Sequence, residues 1–212
     1  MLVTGSSVGG RGNVTGFPVR GYANGRARRQ LILDEATALF GEVGYRAASL
    51  REIATRVGIS HPGLLHHFPA KQALLLAVLE HRDEVDAQRF GLDHLQGVEL
   101  LRHMVDLVDF NATRPGIVEL YCVLSAESTA PDHPAHAFFV SRYARSVAQC
   151  AGGFQGAQAA GVLRPGIDPD AAGRAFIALM DGLQVQWLLD RGSVDMAAVL
   201  RATLAQLFVA GA

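Results

Sequence analysis

From Arg26 onward, apolar residues recur at helical spacing. In RARRQLILDEATALFGEVGY, Ile32, Ala36, Leu39 and Phe40 fall on one face of a 3.6-residue turn, and Gly41 and Gly44 are placed to end that helix. SLREIATRVGIS repeats the pattern with Leu50, Ile53, Ala54 and Val57 at i, i+3, i+4 and i+7. Ser49 and Glu52 are spaced as a capping box, and Gly58 suits the left-handed turn that stops a helix. Ser60 then caps a further helix. Longer helices are expected over 71–90, 98–113, 117–128, 135–160, 170–190 and 193–209, separated by breaks such as Pro115–Gly116, TAPDHP and GVLRPGIDP. There is no strand alternation and no long internal repeat. The pattern predicts an all-α protein of about nine helices.

The stretch 49–68 reads as helix, tight turn, helix, the spacing of a helix-turn-helix. Ala54 is small where two helices cross, and Ile53, Val57, Leu64 and Phe68 supply a miniature core. His61, Pro62, Gly63, His66 and His67 are then expected on or near the outer face of the second helix. Pro62 is harmless there, because the first turn has no helical partner for its N–H groups. Gly63 lets the backbone come close to a base pair or a phosphate. The three histidines do not read as a metal site. His61 and His66 are five apart and His66 and His67 adjacent, whereas ligands on one helix prefer i, i+3 or i+4. A catalytic reading lacks an orienting acid, since no Asp or Glu lies between Glu52 and Glu80.

Charge changes the picture further. The net charge of −1 conceals a basic N-terminal third. Residues 1–71 carry nine basic and four acidic groups, or +5, and the remaining 141 residues carry ten and sixteen, or −6. That asymmetry directs the N-terminal third toward a polyanion. Residues 1–25, with seven glycines and no apolar period, read as a disordered basic arm. Its arginines would trail along DNA, or it is an inert tail. The expected division is this arm, a DNA-binding domain over 26–71, and a ligand-binding and dimerisation domain over 72–212.

The segment from Arg26 to Leu75 resembles the DNA-binding domain of TetR-family transcriptional regulators. The resemblance rests on ILxxAxxLF at 32–40, Gly44–Tyr45, SLREIATRVGIS, and HHFPAKQALL at 66–75, where the family shows H/Y-F-x-x-K-x-x-L. The layout from about Tyr121 onward is similar to BetI-like members. The sequence departs from the family at Pro62, where many members have glycine, and at Leu65, where most have a phosphate-contacting tyrosine. The resemblance implies that His67 and Lys71 grip phosphates, with Lys71 at the dipole-favoured start of a helix. It places Arg51 and the Ser49 hydroxyl on the helix that crosses the backbone. It puts Ser60, His61, Pro62 and Gly63 at the base-reading end of the recognition helix. Leu65 would meet a thymine methyl instead of a phosphate. Protonation of the histidines would make binding pH-sensitive near about pH 6–7.

The resemblance further implies a homodimer through the last two helices and a double-stranded palindromic operator. Independently, 170–190 is apolar on more than one face, as a helix buried on both sides must be. A small hydrophobic or aromatic effector is expected among Met104, Phe110, Tyr121, Phe138, Arg142, Tyr143, Met180, Gln184 and Trp187, with Asn111 as a further polar neighbour. Asp132, His133 and His136 have a faint metal pattern that reads more simply as a solvated loop. No cofactor, metal or catalytic residue is expected. The competing reading is a helical small-molecule binder or enzyme using the apolar cavity of 90–190, with Cys122, Cys150 or the His133/His136 loop as its chemistry. No nucleophile, base and acid group together to support it. No apolar run reaches the ~18–20 residues of a membrane span, no signal-like h-region is seen, and the two cysteines form no CxxC pair. The expected location is the cytoplasm of a bacterium.

Overall fold

The computed structural model describes residues 19–209, with side chains from Gly25 onward. It holds nine helices among the described residues: α1 (Val19–Ala47), α2 (Leu50–Val57), α3 (His61–His67), α4 (Lys71–Phe90), α5 (Gly97–Asn111), α6 (Pro115–Glu127), α7 (His136–Ala159), α8 (Pro169–Leu189) and α9 (Met196–Leu207). None of these helices is long and apolar enough to cross a membrane.

The first helix departs from expectation at both ends. It begins at Val19, so 19–25 continue the helix rather than the arm, and residues 1–18 of that arm lie outside the described residues. It also runs through Gly41 and breaks only at Gly44, which takes φ 78° and ψ 160°, a conformation closed to most side chains. Gly41 serves instead as a crossing point. A Cβ on Gly116 would collide with the Gly41 carbonyl, so α1 and α6 touch backbone to backbone.

Ser49 caps α2, but without the reciprocal half of a capping box. Its hydroxyl accepts from the Arg51 N–H at 3.2 Å, while Glu52 turns along the helix to Arg56 at 3.1 Å. Gly58 closes α2 at φ 70°, its N–H and that of Ile59 returning to Thr55 and Ala54 carbonyls.

Two apolar cores result. One joins α1, α2 and α3 to the first half of α4 and to α6, around Phe40, Ile53, Leu64, Leu75 and Leu124. The other joins α5, α7, α8 and α9 around Leu101, Phe154, Phe176 and Leu200. The packing therefore does not break at residue 71. Helix α4 belongs to the first core up to Leu79 and then enters the body, where Arg82 and Asp86 are buried. The chain end is tied back: Arg164 N donates to Leu207 O at 3.0 Å and Val209 N to Val162 O at 2.9 Å.

Candidate functional site

The helix-turn-helix assembles as its spacing requires. Ile53, Ala54, Val57, Leu64 and Phe68 are all buried, locking α2 against α3. Ser60 Oγ accepts from Gly63 N at 3.1 Å, which caps α3 and holds His61 and Pro62 in its open first turn. Pro62 and His66 are exposed, and His61, Gly63, Leu65 and His67 are half-buried. The His66 and His67 rings meet edge to face, 5.8 Å between centroids. A Cβ at Gly63 would lie 3.1 Å from the Ser60 hydroxyl, so the glycine also makes room for its own cap.

The cations of this face divide into held and free. Arg56 is held by two bonds to Glu42, at 3.0 and 2.7 Å, and Glu42 in consequence titrates below the usual carboxylate range. Arg46 pairs with Glu127 of α6 at 2.7 Å. Arg51 is exposed and, among the described residues, has no carboxylate partner. Lys71 is half-held. Its Nζ donates to Arg46 O at 3.0 Å and lies 4.7 Å from the Tyr45 ring centroid, and partial burial lowers its pKa. It clasps the turn between α1 and α2 while opening α4, whose N-cap, Ala70, supplies no side-chain hydrogen bond.

In the body, α4, α5, α6, α7 and α8 line a chamber of about 200 Å³. Of the expected effector contacts it brings together Met104, Tyr121, Arg142, Tyr143, Met180 and Gln184, with Asn111 beside them. Three others lie elsewhere. Phe110 packs against Phe90 and between the Arg89 and Arg114 guanidiniums, each 4.0 Å from its centroid. Phe138 stacks edge to face on Phe139. Trp187 is buried in the second core with Arg191 over its ring. A wider groove of about 910 Å³ between α4, α5 and α7 meets the chamber at Arg82, Met104, Leu107, Arg142 and Ser146, and so forms its vestibule.

The charged lining of this chamber carries the information that periodicity missed. Arg82 Nη2 donates to Asn111 Oδ1 at 3.0 Å, and its guanidinium lies 4.4 Å from the Tyr121 ring centroid. Asp86 sits 2.8 Å from Arg82 Nε, out of line for a hydrogen bond, and accepts from Arg114 at 3.0 Å. Arg142 Nε donates to Asp83 at 3.0 Å and so ties α7 to α4. Tyr121 donates to Leu79 O at 2.8 Å, and burial raises its pKa. The i, i+4 pair Arg82/Asp86 was the available sequence signal.

The features that an enzyme would use are occupied or inert. Burial raises the Cys122 thiol to about 11 and that of Cys150 to about 12, so neither is a ready nucleophile. Ser128 and His133 are 2.9 Å apart with Glu127 3.8 Å from the imidazole. Yet His133 Nδ1 also accepts from Ala135 N at 3.2 Å, and His136 Nδ1 donates to Ser128 O at 2.8 Å. Ser128 is buried. The cluster ties the turn between α6 and α7, so these histidines organise a loop that the sequence had suggested was merely solvated. Asp132 is exposed beside them.

A helix-turn-helix over α2 and α3 thus precedes a helical body with an interior chamber. The sequence model for bacterial regulatory proteins of the tetR family matches residues 32–78, and that for the BetI-type transcriptional repressor C-terminal domain matches 98–209, more than half of the chain. The chain belongs to the TetR family, a family of transcriptional regulators and not of enzymes. The HTH-type transcriptional repressor Rv1474c of Mycobacterium tuberculosis is 37% identical over 91 residues, 42% of this chain and 48% of that protein. The chain thus spans about half the length of the curated relatives it matches. A transcriptional regulator from Saccharomonospora viridis, solved in complex with choline, superposes with a TM-score of 0.74 over 87% of this chain and 98% of that one. At 24% identity that likeness is one of fold. Salmonella enterica GusR superposes with a TM-score of 0.65 at 26% identity, over 85% of this chain and 95% of that one.

Proposed function

We propose that the protein is a ligand-responsive transcriptional repressor. It binds a palindromic operator as a homodimer and is released by a small effector with a hydrophobic or aromatic body. The observation that carries this reading is the course of α4. Its first residue, Lys71, clasps the turn ahead of α2, and its second half presents Arg82, Asp83 and Asp86 to the chamber and its vestibule. One rigid helix of 20 residues joins the two, so a ligand that shifts its far half moves the DNA-reading half as well. The ligand biases the equilibrium only as far as it binds the released state more tightly.

Residues 26–71 form the DNA-binding unit in this reading. The Ser49 hydroxyl, Arg51, His66, His67 and Lys71 lie along the backbone side of the groove, and Ser60, His61, Pro62, Gly63 and Leu65 approach the base edges. Residues 72–212 bind the effector and the second subunit. Support for a dimer through α8 and α9 comes from the apolar side chains they leave outside: Val185, Leu189 at 84% exposure, and Val199. Two recognition helices spaced ~34–36 Å apart then read successive major grooves. The protein acts where the chromosome is, in the cytoplasm.

The test is a gel-shift titration against DNA flanking the protein's own gene, at low and moderate salt with competitor DNA. Tight, salt-resistant binding to one palindromic fragment is expected. Binding that is weak on every fragment and vanishes with salt would refute a specific regulator.

A further inference from the structure

The recognition helix is thinly anchored by its own residues. Helix α3 has seven residues and buries only Leu64, and Phe68, its C-cap, is the second buried anchor. Helices of this length have little stability of their own. Two anchors also leave a helix free to roll about the line that joins them, so a further contact is needed to fix it. Helix α1 supplies one. Arg29 lays its guanidinium over the Phe68 ring, 4.8 Å from the centroid. Arg28, beside it in the chain, donates from Nη1 to Val57 O at 3.4 Å. Val57 is the last residue of α2, and its carbonyl is one of those that a helix end leaves without a partner. The carbonyls of Ala54 and Thr55 are already taken by the Ile59 and Gly58 N–H groups. One turn of α1 therefore grips the C-terminal ends of both helices of the motif.

Neither arginine is committed elsewhere. Both are exposed, and among the described residues neither has a carboxylate partner, unlike Arg46 and Arg56. The stretch of α1 that carries them is itself braced against α4. Gln30 Nε2 meets His81 Nε2 at 2.6 Å and donates to Asp34 Oδ1 at 2.9 Å. The His81 imidazole lies 3.5 Å from the same carboxylate. Arginine suits the contact with Phe68, because its planar guanidinium stacks on a ring face while its charge stays in water. Phe68 directly follows His66 and His67, so a shift of its ring turns the face that carries them.

We propose that Arg28 and Arg29 are positioning residues for the recognition helix. They set the roll of α3 through Val57 O and the Phe68 ring, and so sharpen operator selectivity without touching DNA themselves. The proposal rests on the reading of α2 and α3 as the operator-binding unit. It adds the contact that orients that unit, on a helix that reads no base. A rolled α3 still meets phosphates, which carry no sequence information, but it loses the aligned hydrogen bonds that base edges require. Selective binding is therefore the quantity these arginines control.

The test is a double-mutant cycle in the full chain: Arg29→Ala, Phe68→Leu and the two together. Each is titrated against the operator fragment and against competitor DNA at several salt concentrations. Arg29→Ala is expected to lower operator affinity about two- to fivefold, the change an exposed cation–π contact carries. Its affinity for competitor DNA and its salt slope stay at the wild-type values, and Arg28→Ala behaves alike. The double variant binds operator no more weakly than Phe68→Leu alone, because Arg29 acts through the ring. Equal losses on every DNA, with a slope flatter by about one unit, would make either arginine a phosphate contact and overturn the proposal. Losses that add in the cycle would overturn it as well. Amide hydrogen exchange at Leu64 and Phe68 reads the same contact with no DNA present. Arg29→Ala is expected to exchange there about two- to fivefold faster at a nearly unchanged melting temperature. Exchange at the wild-type rate would overturn the proposal. Should Phe68→Leu not fold, the salt slope and the exchange of Arg29→Ala decide. A wild type that binds no operator refutes the reading of α2 and α3, and the exchange then tests the grip of α1 by itself.

Discussion

At the scale of single residues, Gly63 and Lys71 each have a structural role, and substitutions separate it from the recognition role proposed for them. A methyl at Gly63 needs the Ser60 hydroxyl to give by a few tenths of an ångström, which α3 tolerates. Gly63→Ala is therefore expected to fold with little loss of stability and, if the proposed operator contact holds, to bind operator more weakly, since the methyl shifts the Ser60 cap that sets the first turn of α3. Normal operator affinity in a gel shift would remove Gly63 from the interface. Lys71→Ala should weaken binding to every DNA sequence and flatten the salt dependence by about one unit. It should also loosen the turn at Arg46 that the ammonium clasps. An unchanged salt slope would leave Lys71 with the clasp alone.

Asp181, in the chamber wall on α8, makes a pH prediction whose sign follows from its pKa, which burial raises. The native state holds this proton more tightly than the unfolded chain does. Stability associated with it is present at low pH and falls as pH rises from the ordinary carboxylate value through the raised one. Ligand-free Asp181→Asn is therefore expected to melt above wild type near neutral pH, with the difference closing as pH falls into the acid range. A constant difference across that range would show that the carboxylate is not the cause.

At the scale of elements, contacts between helices decide stability. Helices α1 and α6 cross at Gly41 and Gly116 with no room for a side chain between them. Gly116→Ala is expected to cost about 1–3 kcal/mol of folding stability, read as a lowered urea midpoint, because neither backbone can retreat easily. Asp86, at 2% exposure, lies between Arg82 and Arg114 and joins α4 to α6. Asp86→Asn removes the anion and leaves Arg82 buried, at 9% exposure, with less compensation. Breaking a buried pair in this way costs about 3–5 kcal/mol. A loss under about 1 kcal/mol in urea unfolding would mean that Arg82 finds water or Asp83 instead.

At the scale of the whole molecule, the exposed apolar residues on α8 and α9 test the proposed dimer. Leu189→Asp combined with Val199→Asp is expected to halve the mass in light scattering and to abolish high-affinity operator binding, since one short recognition helix makes few contacts. A dimer of unchanged mass would move the subunit contact to another face.

The sequence by itself determined the helices and the recognition element, because both depend on neighbours along the chain. Apolar spacing, the Ser60 cap, Gly58 and Pro62 fix α2 and α3, and the expected bounds of α4 were met to the residue. Where local signals compete, spacing along the chain does not decide between them. Gly41 looked like a stop but serves as a crossing point, and Glu52 had Arg56 as a better partner than the Ser49 amide. The chamber was legible only in part. Met104, Tyr121, Arg142, Tyr143, Met180 and Gln184 converge there, while Phe110, Phe138 and Trp187, equally apolar in the sequence, pack elsewhere. Arg82, Asp83 and Asp181 were not anticipated, because a charge on one helix looks solvated until another helix covers it. Only the tertiary structure decided that Asp83 and Asp86 pair with Arg82, Arg114 and Arg142, because pairing depends on distances between helices that spacing along the chain does not encode.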